Sequence, residues 1–292
     1  MAEKPPVVLT IAGFDPSSGA GVTADIKTIA AHCCYGVACL TALTVQSTSG
    51  VRRVQPLDPG LIMEILEELA ADVEIAAVHI GMLGTAGVAG AVADFLSGQS
   101  AIPGRSESGR KPRFRNVVLD PILKSSSGAD LIDRAGMKVL LERLLPVVDI
   151  LTPNVDEASA MTGVKVSELD DMKVAAAKFH ELGAPAVVVT GGHLEKAIDL
   201  LSYRTDRGIE QEVFKTDRQR SNSTHGTGCA FATAMACQLA LDRGLAEATL
   251  LAKTYVTAAI SHGHPLGRGT GPVHHLYRMV QQRRSATTGN ES

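Results

Sequence analysis

Val7-Val8-Leu9-Thr10-Ile11-Ala12-Gly13-Phe14-Asp15-Pro16-Ser17-Ser18-Gly19-Ala20-Gly21, continuing into Val22-Thr23-Ala24-Asp25-Ile26-Lys27-Thr28-Ile29-Ala30-Ala31-His32, is the stretch that decides the fold. Val7–Ala12 is an apolar run of strand length, nearly unbroken, as in a strand covered on both faces. Gly13–Gly21 is rich in Gly, Ser and Pro and reads as a turn. From Gly21 to about His32, Val22, Ile26 and Ile29 form one apolar stripe of a helix. Asp25 falls at the edge of that stripe, so it is either a surface acid beside the core or a group aimed into a cleft.

The same alternation continues. Strands are predicted at Val37–Val45, Ala76–Gly81, Val117–Asp120, Asp149–Thr152 and Ala186–Thr190. Helices are predicted at Leu61–Ala71, Ala86–Leu96, Leu131–Leu145, Asp156–Met161 and Asp171–Leu182. Buried-type strands separated by helices indicate βαβ units and a mostly parallel sheet. Ala197–Arg204 and Gly208–Thr216 read as an antiparallel pair, and Gly226 to about His262 as two long alanine-rich helices. Gly98–Arg115 carries Arg105, Arg110, Lys111, Arg113 and Arg115 against one Glu107, and is expected to be a flexible insertion. Residues 279–292 are expected to form a polar tail.

Ligands of open parallel sheets bind beyond the C-terminal ends of the strands. Polar residues gather at those ends here: Asp15 after the first strand, Gln46 after the second, Gly81-Met82, Asp120-Pro121, Thr152-Pro153-Asn154 and Thr190-Gly191-Gly192-His193. Asn154-Val155-Asp156-Glu157 has the spacing of a helix capping box. The same amide and carboxylate also suit Mg²⁺, which needs one or two carboxylates beside phosphate oxygens, and Asp120 would be a third contributor.

Thr224-His225-Gly226-Thr227-Gly228-Cys229 precedes the helix-forming run Ala230–Ala236. A glycine-rich turn that opens a helix presents free N–H groups and suits phosphate. Cys229 falls in the first helical turn. It is either a small buried packing residue or a reactive thiol, its pKa depressed by the helix end.

Composition narrows the classes. The 292 residues are 45% hydrophobic but only 3% aromatic, with no Trp, so aliphatic side chains and Ala must fill the core. A net charge of −3 gives no electrostatic footprint for nucleic acid or for acidic membranes. No run of 18 apolar residues is present to span a membrane. Five cysteines without C-x-x-C spacing argue against a disulfide framework or a zinc site, and fit a reducing cytosol. Cys33, Cys34, Cys39 and Cys237 are expected to pack as small hydrophobes.

Nine ordered motifs between about residues 7 and 277 resemble the hydroxymethylpyrimidine/phosphomethylpyrimidine kinases of thiamin biosynthesis, within the ribokinase-like superfamily. They are Ile11–Gly21, Ala24–Thr28, Thr41–Gln46, Ile80–Leu83, Val118–Pro121, Leu151–Asn154 with Glu157, Gly191–His193, Thr224–Cys229 and Gly271–His275. The resemblance implies one domain over 1–292, a three-layer α/β/α sandwich, using ATP and Mg²⁺ to phosphorylate 4-amino-5-hydroxymethyl-2-methylpyrimidine and then its monophosphate. It implies pyrimidine binding by Gly13, Asp25, Gln46, Met82 and Ile122. Thr190, Thr224, Gly226, Thr227 and Gly228 would hold ATP phosphates, Asp120, Asn154 and Glu157 would organise Mg²⁺, largely through water, and Cys229 would be the base. Several relatives carry Lys where this chain has Thr190. The implied enzyme is cytoplasmic and homodimeric, with ATP and a small pyrimidine as its ligands. A vitamin B6 kinase and a catalytically silent pyrimidine- or nucleotide-binding protein are the alternative readings.

Overall fold

The structure, a computed structural model, describes residues 4–98, 114–192, 197–217, 219 and 221–280. The expected insertion therefore lies almost wholly outside the described residues, as do His193 and most of the expected tail. Among the described residues, nine strands form one sheet. β1 (Val7–Phe14), β2 (Tyr35–Ser47), β4 (Ile75–Ile80), β5 (Val117–Leu119), β6 (Ile150–Leu151) and β7 (Ala186–Gly191) are parallel. β3 (Gly50–Pro56) joins β2 as an antiparallel hairpin, and β8 (Ala197–Thr205) and β9 (Gly208–Thr216) close the other edge antiparallel. The order across the sheet is β3-β2-β1-β4-β5-β6-β7-β8-β9.

β1 shows why the apolar run predicts a central strand. Leu9 and Ile11 face one hydrophobic core and Val8 the other, each fully buried, because side chains alternate along a strand. α2 (Pro59–Asp72), α3 (Ala86–Leu96), α4 (Arg134–Val139), α5 (Val155–Thr162) and α6 (Leu169–Glu181) contribute to the first core. α1 (Gly21–Ala31), α7 (Thr227–Ala240) and α8 (Leu245–Ser261) cover the other face. The expected three-layer α/β/α architecture is thus present. α7 is buried all round from Cys229 to Ala240. Its small side chains let it lie between the sheet, α1 and α8, which is how a chain so poor in aromatics fills its centre.

Some boundaries differ from expectation. The helix expected from Leu131 starts at Arg134, where Asp133 caps it. β2 runs to Ser47 and leaves β1 after Leu43, so its second half pairs only with β3. This carries Gln46 beyond the strand ends on a two-stranded flap. β3 has no counterpart in the sequence reading. Cys33 is exposed and not packed, because the chain turns there with φ of 58° just past α1. Cys34, Cys39 and Cys237 are buried as expected.

Candidate active site

The parallel strands bring Asp15, Met82, Asp120, Asn154 and Thr190 to one edge of the sheet, each at or just beyond the end of its strand. Two glycine turns interlock at this edge. A methyl group on Gly226, which has φ of +81°, would sit 1.9 Å from Gly19 O, and one on Gly19 would sit 2.3 Å from the His225 ring. Only glycine tolerates such approaches. The turn of residues 224–229 is thereby seated on the turn of residues 13–21.

α7 begins at Thr227 with no side chain capping it, and Thr227 bonds back to Thr224 O through its N–H and its hydroxyl. Gly228 is exposed next to the acid cluster, since a methyl there would lie 3.6 Å from Asp120 Oδ2. This is the free-amide helix start that the hexapeptide predicts.

Cys229 lies in the first turn of α7 as expected, but its thiol is not depressed. Burial pushes its pKa well up, and the Asp120, Asp25 and Glu157 carboxylates add to the rise against the opposing Gly21 amide. Burial first, and then the acids just after β5, on α1 and on α5, outweigh the helix end. Asp120 is likewise pushed well above the carboxylate range by burial, then Glu157 and Asp25, although the Cys229 thiol hydrogen-bonds to it. Burial raises Glu157 to about 7.

The Asn154–Glu157 spacing is a complete capping box. Asn154 Oδ1 accepts from the Asp156 and Glu157 amides, each at 2.9 Å, and Glu157 Oε2 accepts from the Asn154 amide at 2.9 Å. The box does not exclude a second role, because it holds Glu157 beside Asp120. Neither carboxylate has a cationic partner among the described residues. Also among the described residues, no three His, Cys, Asp or Glu side chains form a metal cage by themselves. Thr190 is half-buried next to Asn154, its amide bonded to Pro153 O.

Asp25 is placed deeper than a cleft-facing acid. It is fully buried, accepts from Thr10 at 2.7 Å and Thr233 at 2.9 Å, and lies 3.4 Å from His79 Nδ1. Gly13, Met82 and Ile122 do meet. A methyl on Gly13 would lie 2.7 Å from Met82 Cε, and Met82 and Ile122 share a small apolar cluster with Ala42 and Leu131. Gln46 lies on the rim of a cleft of about 420 Å³, open mouth included. Residues 47–51 of the β2–β3 flap, Ser125–Ser127, His225, Gly269 and Thr270 complete the rim.

His225 joins the site without any role predicted for it from the sequence. Its Nε2 donates to Asp15 Oδ2 at 2.8 Å, and Ser126 Oγ lies 2.9 Å from Nδ1. Its one local signal is a histidine set between Thr224 and Gly226.

With this geometry the chain takes its place among known proteins. The family model described as phosphomethylpyrimidine kinase matches residues 15–274. A thiamine biosynthesis bifunctional protein of Geobacter sulfurreducens is 41% identical over 92% of this chain, which spans only 52% of that protein's length. A hydroxymethylpyrimidine/phosphomethylpyrimidine kinase of Haemophilus influenzae is 37% identical, with 92% of this chain and 96% of that one covered. Among solved structures, an ADP complex of Bacillus subtilis pyridoxal kinase superposes with a TM-score of 0.81 at 32% identity, covering 94% and 100% of the two chains. The strand-end acids, the uncapped α7 and the matches over nearly the whole chain agree, and the chain belongs to the phosphomethylpyrimidine kinase family.

Proposed function

We propose that this chain transfers phosphoryl groups from ATP to 4-amino-5-hydroxymethyl-2-methylpyrimidine and then to its monophosphate, in thiamine formation. One observation carries the reading: Asp120, Glu157 and Cys229 are buried together at the uncapped start of α7, with no cationic side chain beside the acids among the described residues. Such a cluster is costly unless a cation completes it. Two carboxylates of this kind fit Mg²⁺, which takes its remaining ligands from water and phosphate. Asp120 and Glu157 would hold it, and Asn154 fixes Glu157 through the capping box.

When bound, Mg²⁺ would supply positive charge to the ATP phosphates and to the two carboxylates. The Gly228 and Cys229 amides at the α7 start support the charge of the moving phosphoryl group. Thr224, Gly226 and Thr227 shape that turn, and the Thr190 hydroxyl donates to a nucleotide phosphate. Burial, and after it the Asp120, Asp25 and Glu157 carboxylates, hold the proton on the Cys229 thiol, and positive charge at Asp120 and Glu157 would ease its loss. The thiol gives its proton to solvent before transfer, and the thiolate so formed takes the proton of the pyrimidine's hydroxymethyl group as the phosphoryl group arrives. Gln46 offers a donor and an acceptor to the aminopyrimidine edge. Gly13, Met82 and Ile122 face the ring, and Asp25 ties α1 to β1 and to the middle of α7 through Thr10 and Thr233.

The five free cysteines support a cytosolic location, and among the described residues no helix is long and apolar enough to cross a membrane. A homodimer joined through Leu43 and Val45, exposed on one face of β2, belongs to the same proposal, and sedimentation velocity checks it. The likeness to a pyridoxal kinase motivates a second reading, vitamin B6 phosphorylation. Purified chain with ATP and Mg²⁺ should convert the pyrimidine to its mono- and diphosphate faster than it converts pyridoxal. Faster turnover of pyridoxal would favour the second reading, and no ADP release with either would mean a silent binding protein.

A further inference from the structure

Phosphoryl transfer leaves residues 267–271 without a task, yet they lie against the tip of the β2–β3 flap. The β2 backbone pairs with β1 only as far as Leu43, so Gln46 to Gly50 stand on a two-stranded ribbon. Such a ribbon is marginal by itself. The Gly269 amide donates to Thr48 Oγ1 at 3.3 Å. A methyl group on Gly269 would sit 1.9 Å from Thr48 O and 2.8 Å from Ser49 Cα. Backbone therefore meets backbone at this point, which a side chain would prevent.

The other end of the segment is fastened. The Gly271 amide donates to Asn222 O and the His225 amide to Gly271 O, each at 3.0 Å, and His225 pairs with Pro272 as a parallel bridge. Further on, the His274 amide donates to Ala259 O of α8 at 2.9 Å. Residues 267–271 thus form a strap, anchored on the turn that opens α7 and resting on the flap. The flap tip, paired only within its own ribbon, is the body that yields when the two are pushed apart.

We propose that Gly269 and Thr48 are positioning residues, through which the strap pins the flap and holds Gln46 in place for the pyrimidine. The proposal rests on the reading that Gln46 meets that ligand. Gln46 lies two residues before Thr48 and lines the same cleft as Gly269 and Thr270. A flap ordered in advance spares the ligand the cost of ordering it, so the strap acts on pyrimidine affinity and not on the nucleotide.

The test compares the parent with Gly269→Ala, Thr48→Val and Thr48→Ser. It reads the KM values for pyrimidine and ATP, and the rate of trypsin cleavage after Arg52 and Arg53, which are exposed on β3 of the flap. In Gly269→Ala the KM for the pyrimidine should rise roughly tenfold, the worth of ordering one or two side chains. The KM for ATP and kcat at saturation should stay parental, and cleavage at the flap should quicken. Thr48→Val should move both readouts in the same direction by less, and Thr48→Ser, which keeps the hydroxyl, should move neither. This pair carries the test if Gly269→Ala does not fold. An unchanged pyrimidine KM, or equal rises for pyrimidine and ATP, would overturn the proposal and leave the strap a packing segment. A parent that phosphorylates no pyrimidine would overturn the functional reading and the Gln46 role with it, while the cleavage rates still decide whether the strap pins the flap.

Discussion

Asp15 and Asp120 occupy the same kind of place and have opposite surroundings. Each follows a parallel strand, on the same edge of the sheet, at 3% and 4% exposure. Asp15 accepts from the Ser17 amide at 2.8 Å, the Ser17 hydroxyl at 2.7 Å, the Ala20 amide at 3.0 Å and His225 at 2.8 Å. Burial alone would raise its pKa, but the His225 and Ser17 hydrogen bonds outweigh burial and hold it below the ordinary value. Asp120 has a thiol for a partner and two carboxylates for neighbours, and is pushed well up. The first aspartate is complete within the protein. The second is complete only with a ligand, and that difference separates scaffold from reaction centre along one sheet edge.

The largest expected effect lies on the incomplete side. Cys229→Ala should lower turnover by roughly 10²–10⁴-fold, the usual worth of a positioned acid–base group, with little change in ATP affinity because the backbone amides remain. Steady-state kinetics check this, and near-parental turnover would reduce Cys229 to a packing residue.

Next comes a pair of opposite sign. Asp15→Ala leaves two half-buried amides and the buried His225 without their acceptor, and should cost about 3 kcal/mol in urea unfolding. Asp120→Asn removes a repelled charge and should leave stability unchanged or higher while activity collapses. Equal destabilisation by both would erase the distinction. Smaller again is Gln46→Leu, which should weaken apparent pyrimidine affinity by about 1–3 kcal/mol, seen as a raised KM for the pyrimidine but not for ATP.

Much of this was legible in the chain. The apolar run Val7–Ala12, the glycines around Thr227 and the polar residue at each strand end are local signals, and the fold uses each where the pattern places it. β3 was not legible, because Val51-Arg52-Arg53-Val54-Gln55 mixes charge into an outer antiparallel strand that only pairing with β2 defines. Cys33 looked like its buried neighbours until the positive φ after α1 turned it outward. Cys229 shows the limit most clearly. Its helix position is local and correct, but its proton affinity depends on acids 72, 109 and 204 residues away in sequence that meet only in the folded chain. His225 is illegible for the same reason, its Asp15 partner being 210 residues distant.

Glu157 links stability to the same incomplete site. It titrates near 7 in the fold against an ordinary 4.5, so between those values the folded chain holds a proton that the unfolded chain has lost. Its contribution is fully present below about 4.5 and is lost as pH rises through 7, on the order of 3 kcal/mol in all. Glu157→Gln should flatten that fall in a pH series of urea unfolding, since Gln keeps the capping box. A slope identical to the parent's would place the titration elsewhere.

The account centres on Asp120 and Glu157 forming a cation site next to the phosphoryl-transfer turn. A Mg²⁺ titration of kinase activity in Glu157→Gln against the parent tests it most directly. The predicted result is a folded variant that needs severalfold more Mg²⁺ for half-maximal rate, because a charge has gone while the cap remains. Two titration curves that overlay would contradict it and leave Glu157 a helix cap alone.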